Sequence, residues 1–168
     1  MTNNDVLRRL RYIFDFADNE IIQIVELANG TATREQVCNW LKSDDDPDFT
    51  PCTDQELATF LNGFITFQRG PKPGAQPTPE TSLTNNLILT KLKIALSLRS
   101  EEVLHMLDLA GLRLGKSELS AFFRKPGHKH YRECKDQFLR NFLTGLQQHV
   151  RKERKPTKPN VWGQNNQS

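Results

Sequence analysis

The stretch Cys52–Gly63, CTDQELATFLNG, returns 82 residues later as Cys134–Gly145, CKDQFLRNFLTG. The register holds without a gap when residues 2–65 are laid on residues 84–147, with 15 identities in 64 pairs, and most other pairs keep apolar on apolar. Thr2-Asn3-Asn4 falls on Thr84-Asn85-Asn86, Glu20 on Glu102, Leu27-Ala28 on Leu109-Ala110, and Asp54-Gln55 on Asp136-Gln137. A constant offset over that length marks a duplicated unit. Two copies are too few for a solenoid, so the chain reads as two homologous units able to pack together.

Each copy reads as four short helices. The last carries Leu57, Phe60, Leu61 and Phe64, repeated as Leu139, Phe142, Leu143 and Leu146, which is the i, i+3, i+4, i+7 stripe of one buried helical face. Ile21, Ile24, Val25 and Ala28 mark the second helix, matched by Val103, Met106, Leu107 and Ala110. Val37, Trp40 and Leu41 mark a brief third, matched by Leu119, Phe122 and Phe123. The first has Val6, Leu7, Leu10 and Phe14, matched by Ile88, Leu89, Leu92 and Leu96. Asp18 and Ser100 are read as caps of the second helix, Thr33 with Gln36 and Thr53 with Glu56 have capping-box spacing, and Gly30 and Gly111 stand where the second helix stops. No segment alternates with period two, so the fold class is all-α.

Between the copies, residues 69–83 (RGPKPGAQPTPETSL) hold four prolines and two glycines, which read as a linker rather than helix or strand. Residues 148–168 are almost without apolar content and read as a basic, disordered tail. The expected organisation is repeat 1 over 1–68, linker 69–83, repeat 2 over 84–147, and tail 148–168.

No apolar run approaches the roughly 18 residues that cross a bilayer, and the polar, charged start MTNNDVLRRLRYIFDF does not fit a signal peptide. A cytoplasmic protein with no membrane contact is expected. Three widely spaced cysteines, Cys38, Cys52 and Cys134, suit reduced thiols rather than a disulfide framework.

No motif points to catalysis or to a cofactor. In GPKPG the prolines remove the amide donors a phosphate cradle needs, and HExxH and GxSxG are absent. The duplicated Glu20/Glu102 and Asp54/Asp136 resemble a symmetric acid–base pair, but each stands in a helix first turn, where carboxylates favour the dipole. His128, His130 and Cys134 lack the ligand count and spacing of a zinc site, and Cys52 has no histidines beside it. The second and third helices, with NGTAT between them, suggest a helix-turn-helix, yet Trp40 and Leu41 look like core and the turn is long. Asp44, Asp45, Asp46 and Asp48 make a poor EF-hand, because Pro47 interrupts them and the loop glycine is missing.

Charge separates the copies. Residues 1–68 carry a net −7 and residues 84–147 a net +5, with +1 in the linker and +4 in 148–168. The contrast concentrates between the third and fourth helices, SDDDPDFTP in one copy and RKPGHKHYRE in the other. Two expectations follow. The two loops attract each other and help pack the repeats, with Asp44, Asp45, Asp46 and Asp48 as an acidic partner surface. Alternatively, Arg124, Lys125, His128, Lys129, His130, Tyr131 and Arg132, with Arg151, Lys152, Arg154 and Lys155, contact single-stranded nucleic acid.

The Thr-Asn-Asn opening, REQVCNWLK, LATFLNGFI and their second-copy equivalents resemble the bacterial YehS-like family (domain of unknown function 1456), over residues 2 to about 147. The resemblance implies two tandem copies and brings no activity, cofactor or catalytic residue. The reading is a non-enzymatic helical repeat protein that binds another macromolecule, either an unidentified protein or a second copy of itself. The alternative is a nucleic-acid binder that uses the basic repeat and tail.

Overall fold

The computed structural model describes residues 1–154, with side chains through Lys152. The remainder, including Lys155, lies outside the described residues. Eight helices and no strand occur among the described residues: α1 (Asn3–Phe14), α2 (Asp18–Leu27), α3 (Arg34–Leu41), α4 (Asp54–Arg69), α5 (Asn85–Ala95), α6 (Ser100–Leu109), α7 (Lys116–Ala121) and α8 (Asp136–Arg154). The all-α class and the duplicated helix order stand. The fourth helix of the second copy runs further than the sequence suggests, since residues 148–154 continue α8 instead of opening a tail.

Duplication extends to individual bonds. Asn4, 2% exposed, donates from Nδ2 to the Trp40 and Thr50 carbonyls at 2.9 and 3.0 Å and accepts from the Cys52 amide at 3.0 Å. Asn86 does the same with Phe122, Arg132 and Cys134 at 3.0, 2.8 and 2.9 Å. One buried carboxamide thus ties the first helix of each repeat to the end of its third and to the loop leading into its fourth. Buried amides without such partners cost free energy, so this loop is held wherever the asparagine is.

Helix ends differ in detail from the sequence reading. Asp18 and Ser100 are the first helical residues; Ala17 and Arg99 occupy the caps. The carboxylates of Glu20 and Glu102 turn back and accept from the Ala17 and Arg99 amides, each at 2.9 Å. These duplicated acids are therefore committed to helix starts. Thr33 and Thr53 cap as expected, accepting from Gln36 and Glu56. The left-handed residue after the second helix is Asn29 (φ 63°) in repeat 1 and Gly111 (φ 85°) in repeat 2, so the stop in repeat 1 is set by Asn29 and not by Gly30. Asparagine tolerates that conformation better than most side chains do.

Within each repeat the second and fourth helices touch backbone to backbone. A Cβ on Gly63 would stand 1.8 Å from the Ile24 carbonyl oxygen, and one on Gly145 equally close to that of Met106. The apolar stripes of all eight helices join in one core, in which Leu10, Ile24, Phe64, Leu92, Met106 and Phe142 are fully enclosed. Trp40 is 3% exposed and Leu41 packs against the core, so α3 spends its apolar face inside rather than presenting it to a DNA groove. No described helix is long and apolar enough to cross a membrane.

The repeats do not meet through their charged loops. Asp44 pairs with Arg8 at 3.2 Å and Asp48 with Lys42 at 3.5 Å, both within repeat 1, while Arg132 faces Glu118 at 4.0 Å within repeat 2. Asp44, Asp48 and Arg132 thus find partners within their own repeats, and exposed pairs of this kind contribute only about 0–1 kcal/mol. The repeats meet instead through helices: α4 packs on α5, and α1 on α8. The two interfaces are images of each other under the offset of 82, which gives the molecule a pseudo-twofold relation.

Each interface is clasped at its start by a shared carboxylate. Asp54 accepts from Asn3 of its own repeat at 2.7 Å and from the Leu83 amide at 2.9 Å. Asp136 accepts from Asn85 at 2.8 Å and from the Met1 ammonium at 2.5 Å. Met1 and Leu83 are themselves equivalent, so each repeat's first residue is held by the other repeat. The asparagine bond, then the Leu83 amide, hold the Asp54 carboxyl below its ordinary value of 3.8; the ammonium, then Asn85, do the same for Asp136. A depressed carboxyl stabilises the fold above its unfolded pKa, and the contribution is lost as pH falls through the folded one. Stability is therefore expected to drop below about pH 4. In Asp54→Asn/Asp136→Asn, followed by urea melts across pH 2–7, the neutral-pH stability should be lower and the acid slope shallower. An unchanged slope would mean that these carboxyls do not clasp the repeats.

Candidate functional site

The two inter-repeat interfaces differ in what lies over them. Helices α4 and α5 run in the same direction: Asp54 at the start of α4 holds Leu83 just before α5, and Arg69 at its end donates to the Ile94 carbonyl at 3.1 Å and to Ser97 at 3.3 Å. Parallel neighbours require the connecting chain to travel back along the pair. With a rise of 1.5 Å per residue, the 16 residues of α4 span about 24 Å, a return that residues 70–83 cover easily when extended. The expected linker therefore lies along the groove as a strap, bent at residues 73–74 and 81–82. Its Gln76 donates to Thr66 at 3.3 Å, and Glu80 pairs with Lys91 at 3.1 Å. Strap and helices enclose a cavity of about 460 Å³, with Asn62, Ile65, Leu87 and Ile94 on the helix side and Pro71, Pro73 and Pro77 on the strap.

The α1/α8 groove is the image of this one, and no described residue follows it with a strap. The N-terminal ammonium marks one end on Asp136, Arg9 bonds Thr144 at 3.3 Å in the middle, and Arg151 bonds Tyr12 at the other end, with its guanidinium 4.8 Å from the ring centroid. Tyr12 is 56% exposed, more than any other large hydrophobic side chain among the described residues. A recess of about 310 Å³ opens at the N-terminal end between Met1, Asp5, Arg8, Arg9 and Arg140.

Substitutions between the grooves change their chemistry. Leu87, Thr90, Lys91 and Ile94 of α5 become Asp5, Arg8, Arg9 and Tyr12 of α1, and Asn62, Ile65, Thr66 and Arg69 of α4 become Thr144, Gln147, Gln148 and Arg151 of α8. The strapped groove holds three aliphatic side chains, Ile65, Leu87 and Ile94; the open one has none at those positions and is polar, aromatic and cationic. Its two carboxylates are both engaged, Asp5 by the Thr2 amide at 2.9 Å and Arg8 at 2.7 Å, and Asp136 as above. Arg9 is less well supplied. Its Nε is shielded from water without a hydrogen-bond partner, and burial alone pulls its pKa below the ordinary arginine value.

The residues singled out from sequence are dispersed. Arg124, Lys125, His128, Lys129, His130 and Arg132 are exposed on the α7–α8 loop, with Tyr131 half-buried. The loop is pinned to the start of α5 through Asn86 and the Arg132 carbonyl. Arg151 and Lys152 lie instead on the far turns of α8, and no hydrogen bond or ion pair among the described residues joins them to the loop. Arg132 stacks on Phe122 with its guanidinium 5.4 Å from the ring centroid. Asp45 accepts from Ser43 and Asp46 from the Asp48 amide, so the acidic loop is internally bonded.

Among the described residues no three His, Cys, Asp or Glu side chains converge as metal ligands. His128 and His130 lie 5.5 Å apart in solvent, while Cys134 is buried, its thiol pushed up to about 12 by desolvation, as is that of Cys52. A thiol so raised is not a nucleophile at neutral pH.

The open groove escaped the sequence reading because it draws on two helices from opposite ends of the chain. A signal was present all the same: Arg8, Arg9 and Tyr12 share one helical face in an otherwise acidic repeat, at positions where the other copy has Thr90, Lys91 and Ile94.

The fold and its grooves define a class: an all-helical protein of two interlocked copies, each lending its first helix to the other's last. The pattern described as a protein of unknown function, DUF1456, matches residues 3–70 and 85–152, and the chain belongs to that family. It is 43% identical over 155 residues, 90% of this chain and 99% of the relative, to the uncharacterized protein YehS of Escherichia coli strain K12. No solved structure matches it.

Proposed function

We propose that the protein is a non-enzymatic, cytosolic binding module that takes an extended segment of another protein into the α1/α8 groove. The observation that carries this reading is the strapped twin. Residues 70–83 lie as an irregular, proline-containing chain along α4 and α5, so this helix pairing accommodates such a segment in cis. The open groove joins the equivalent pair of helices, and no described residue lies over it. Extended peptides rich in proline lose little conformational entropy on docking, which suits them to shallow grooves. The enclosed core and the committed carboxylates support binding rather than catalysis.

A fluorescent peptide with the sequence of residues 70–83, added in trans to the intact chain, tests the reading by anisotropy. Saturable binding is expected, and a scrambled peptide of equal composition should bind more weakly. Equal binding of both, or none, would contradict it.

The exposed cations of the 124–132 loop support a second reading, single-stranded nucleic acid, through counterion release. In that case Lys125→Glu/Lys129→Glu should weaken binding of a labelled oligonucleotide and flatten its log–log salt dependence. An unchanged slope would remove the loop from consideration.

A further inference from the structure

We propose that the segment taken up by the α1/α8 groove is acidic, and that it places a carboxylate on Arg9 where Glu80 of the strap sits on Lys91. The inference rests on the groove reading above and specifies its ligand.

Lys91 and Arg9 are equivalent residues on equivalent helices. Lys91 has two partners: Asn62 of α4 at 2.7 Å and Glu80 of the strap at 3.1 Å. Arg9 has the counterpart of the first, Thr144 of α8 at 3.3 Å, and nothing in place of the second. No ion pair reaches its guanidinium among the described residues, and its Nε is buried without a partner. A charged group half-withdrawn from water in this way is completed most effectively by a charge-assisted bond. Arg140 and Arg151 flank it along the groove; Arg8 beside it is already paired with Asp5 and Asp44, and Asp136 is engaged by Met1 and Asn85. The strap's own groove needs one carboxylate for one lysine; the open groove offers an arginine with arginines on either side. Its ligand should accordingly be more acidic than the strap.

The chain's own continuation does not meet this requirement. Residues 155–168, KPTKPNVWGQNNQS, contain no aspartate or glutamate. A nucleic-acid backbone also supplies anions, but the one segment seen on this helix pairing is a polypeptide that offers a carboxylate.

The test uses the intact protein and two labelled peptides, GPKPGAQPTPETSL and the same sequence carrying Glu80→Gln. The peptide that keeps Glu80 should bind about tenfold tighter, as expected for one charge-assisted contact. Arg9→Gln should erase that preference, and Arg9→Lys, which recreates the Lys91 arrangement, should retain most of it. Circular dichroism melts of both variants establish that they fold. Equal affinity for the two peptides would overturn the carboxylate assignment while leaving the extended-chain reading intact; failure of both to bind would overturn both. Displacement of the Glu80 peptide by a single-stranded oligonucleotide at lower concentration would make nucleic acid the occupant and overturn the proposal. So would binding that appears only after removal of residues 155–168, which would make those residues the occupant.

Discussion

Asn4→Ala is expected to destabilise the protein by about 3 kcal/mol or more, and Asn86→Ala by a similar amount. Each truncation strands two buried backbone groups, the Trp40 carbonyl and Cys52 amide or the Phe122 carbonyl and Cys134 amide, and also removes a bond to the more exposed Thr50 or Arg132 carbonyl. Each buried group costs about 1–3 kcal/mol when left without a partner. Against a typical total of about 5–15 kcal/mol, this is a large fraction. Urea titration and thermal melts measure it, with a fall in Tm of about 6–12 °C for a chain of this size. Asn4→Asp should fare little better, because a carboxylate accepts from the Cys52 amide but sets a negative oxygen against the Trp40 and Thr50 carbonyls. A cost below about 1 kcal/mol for either alanine variant would mean that the loop before the fourth helix does not depend on this side chain.

Gly63→Ala and Gly145→Ala form the second pair of large effects. The new methyl would lie 1.8 Å from a carbonyl oxygen, with the adjoining carbonyl carbon at 2.7 Å for Gly63 and 2.5 Å for Gly145. The obstructing atoms are backbone and cannot rotate away, so α4 must separate from α2, or α8 from α6. Overpacking of this kind costs about 1–3 kcal/mol and sometimes more, and the upper end is expected here. The gain in helix propensity from Gly to Ala, about 1 kcal/mol, offsets part of it. Gly127→Ala is the control: open space surrounds it and its φ is not left-handed, so a change within about 0.5 kcal/mol is expected. If Gly63→Ala matched Gly127→Ala, the close approach of these helices would be refuted.

Much of this was legible in the sequence. The offset of 82 and the apolar stripes specify eight helices in two equivalent sets, because buried helical faces repeat every three to four residues whatever the partner. The polar identities between copies, Asn3, Asn4 and Asp54 among them, also stood in plain view. Their role was hidden because the bonds run between residues 36 to 51 apart in the chain. The caps of α2 and α6 were misplaced by one residue because Asp18 and Ser100 are strong cap formers, yet Glu20 and Glu102 reach back over Ala17 and Arg99 instead. Loop charges suggested attraction between the repeats, but Arg8 and Lys42 pair with Asp44 and Asp48 locally. The groove was not legible, since period and propensity do not reveal that α1 pairs with α8 or that a proline-rich connection lies along a helix pair.

One groove holds the molecule's own strap, and we propose that the equivalent α1/α8 groove, which no described residue covers, takes a partner. Residue-resolved NMR of the isotopically labelled intact chain, titrated with the peptide of residues 70–83, tests it most directly. The account predicts saturable shifts in the amides of Arg9, Tyr12, Thr144, Gln148 and Arg151, with Arg124–Arg132 and the α4/α5 pair unmoved. Shifts confined to the 124–132 loop or to α4 and α5, or no shifts at millimolar peptide, would contradict it.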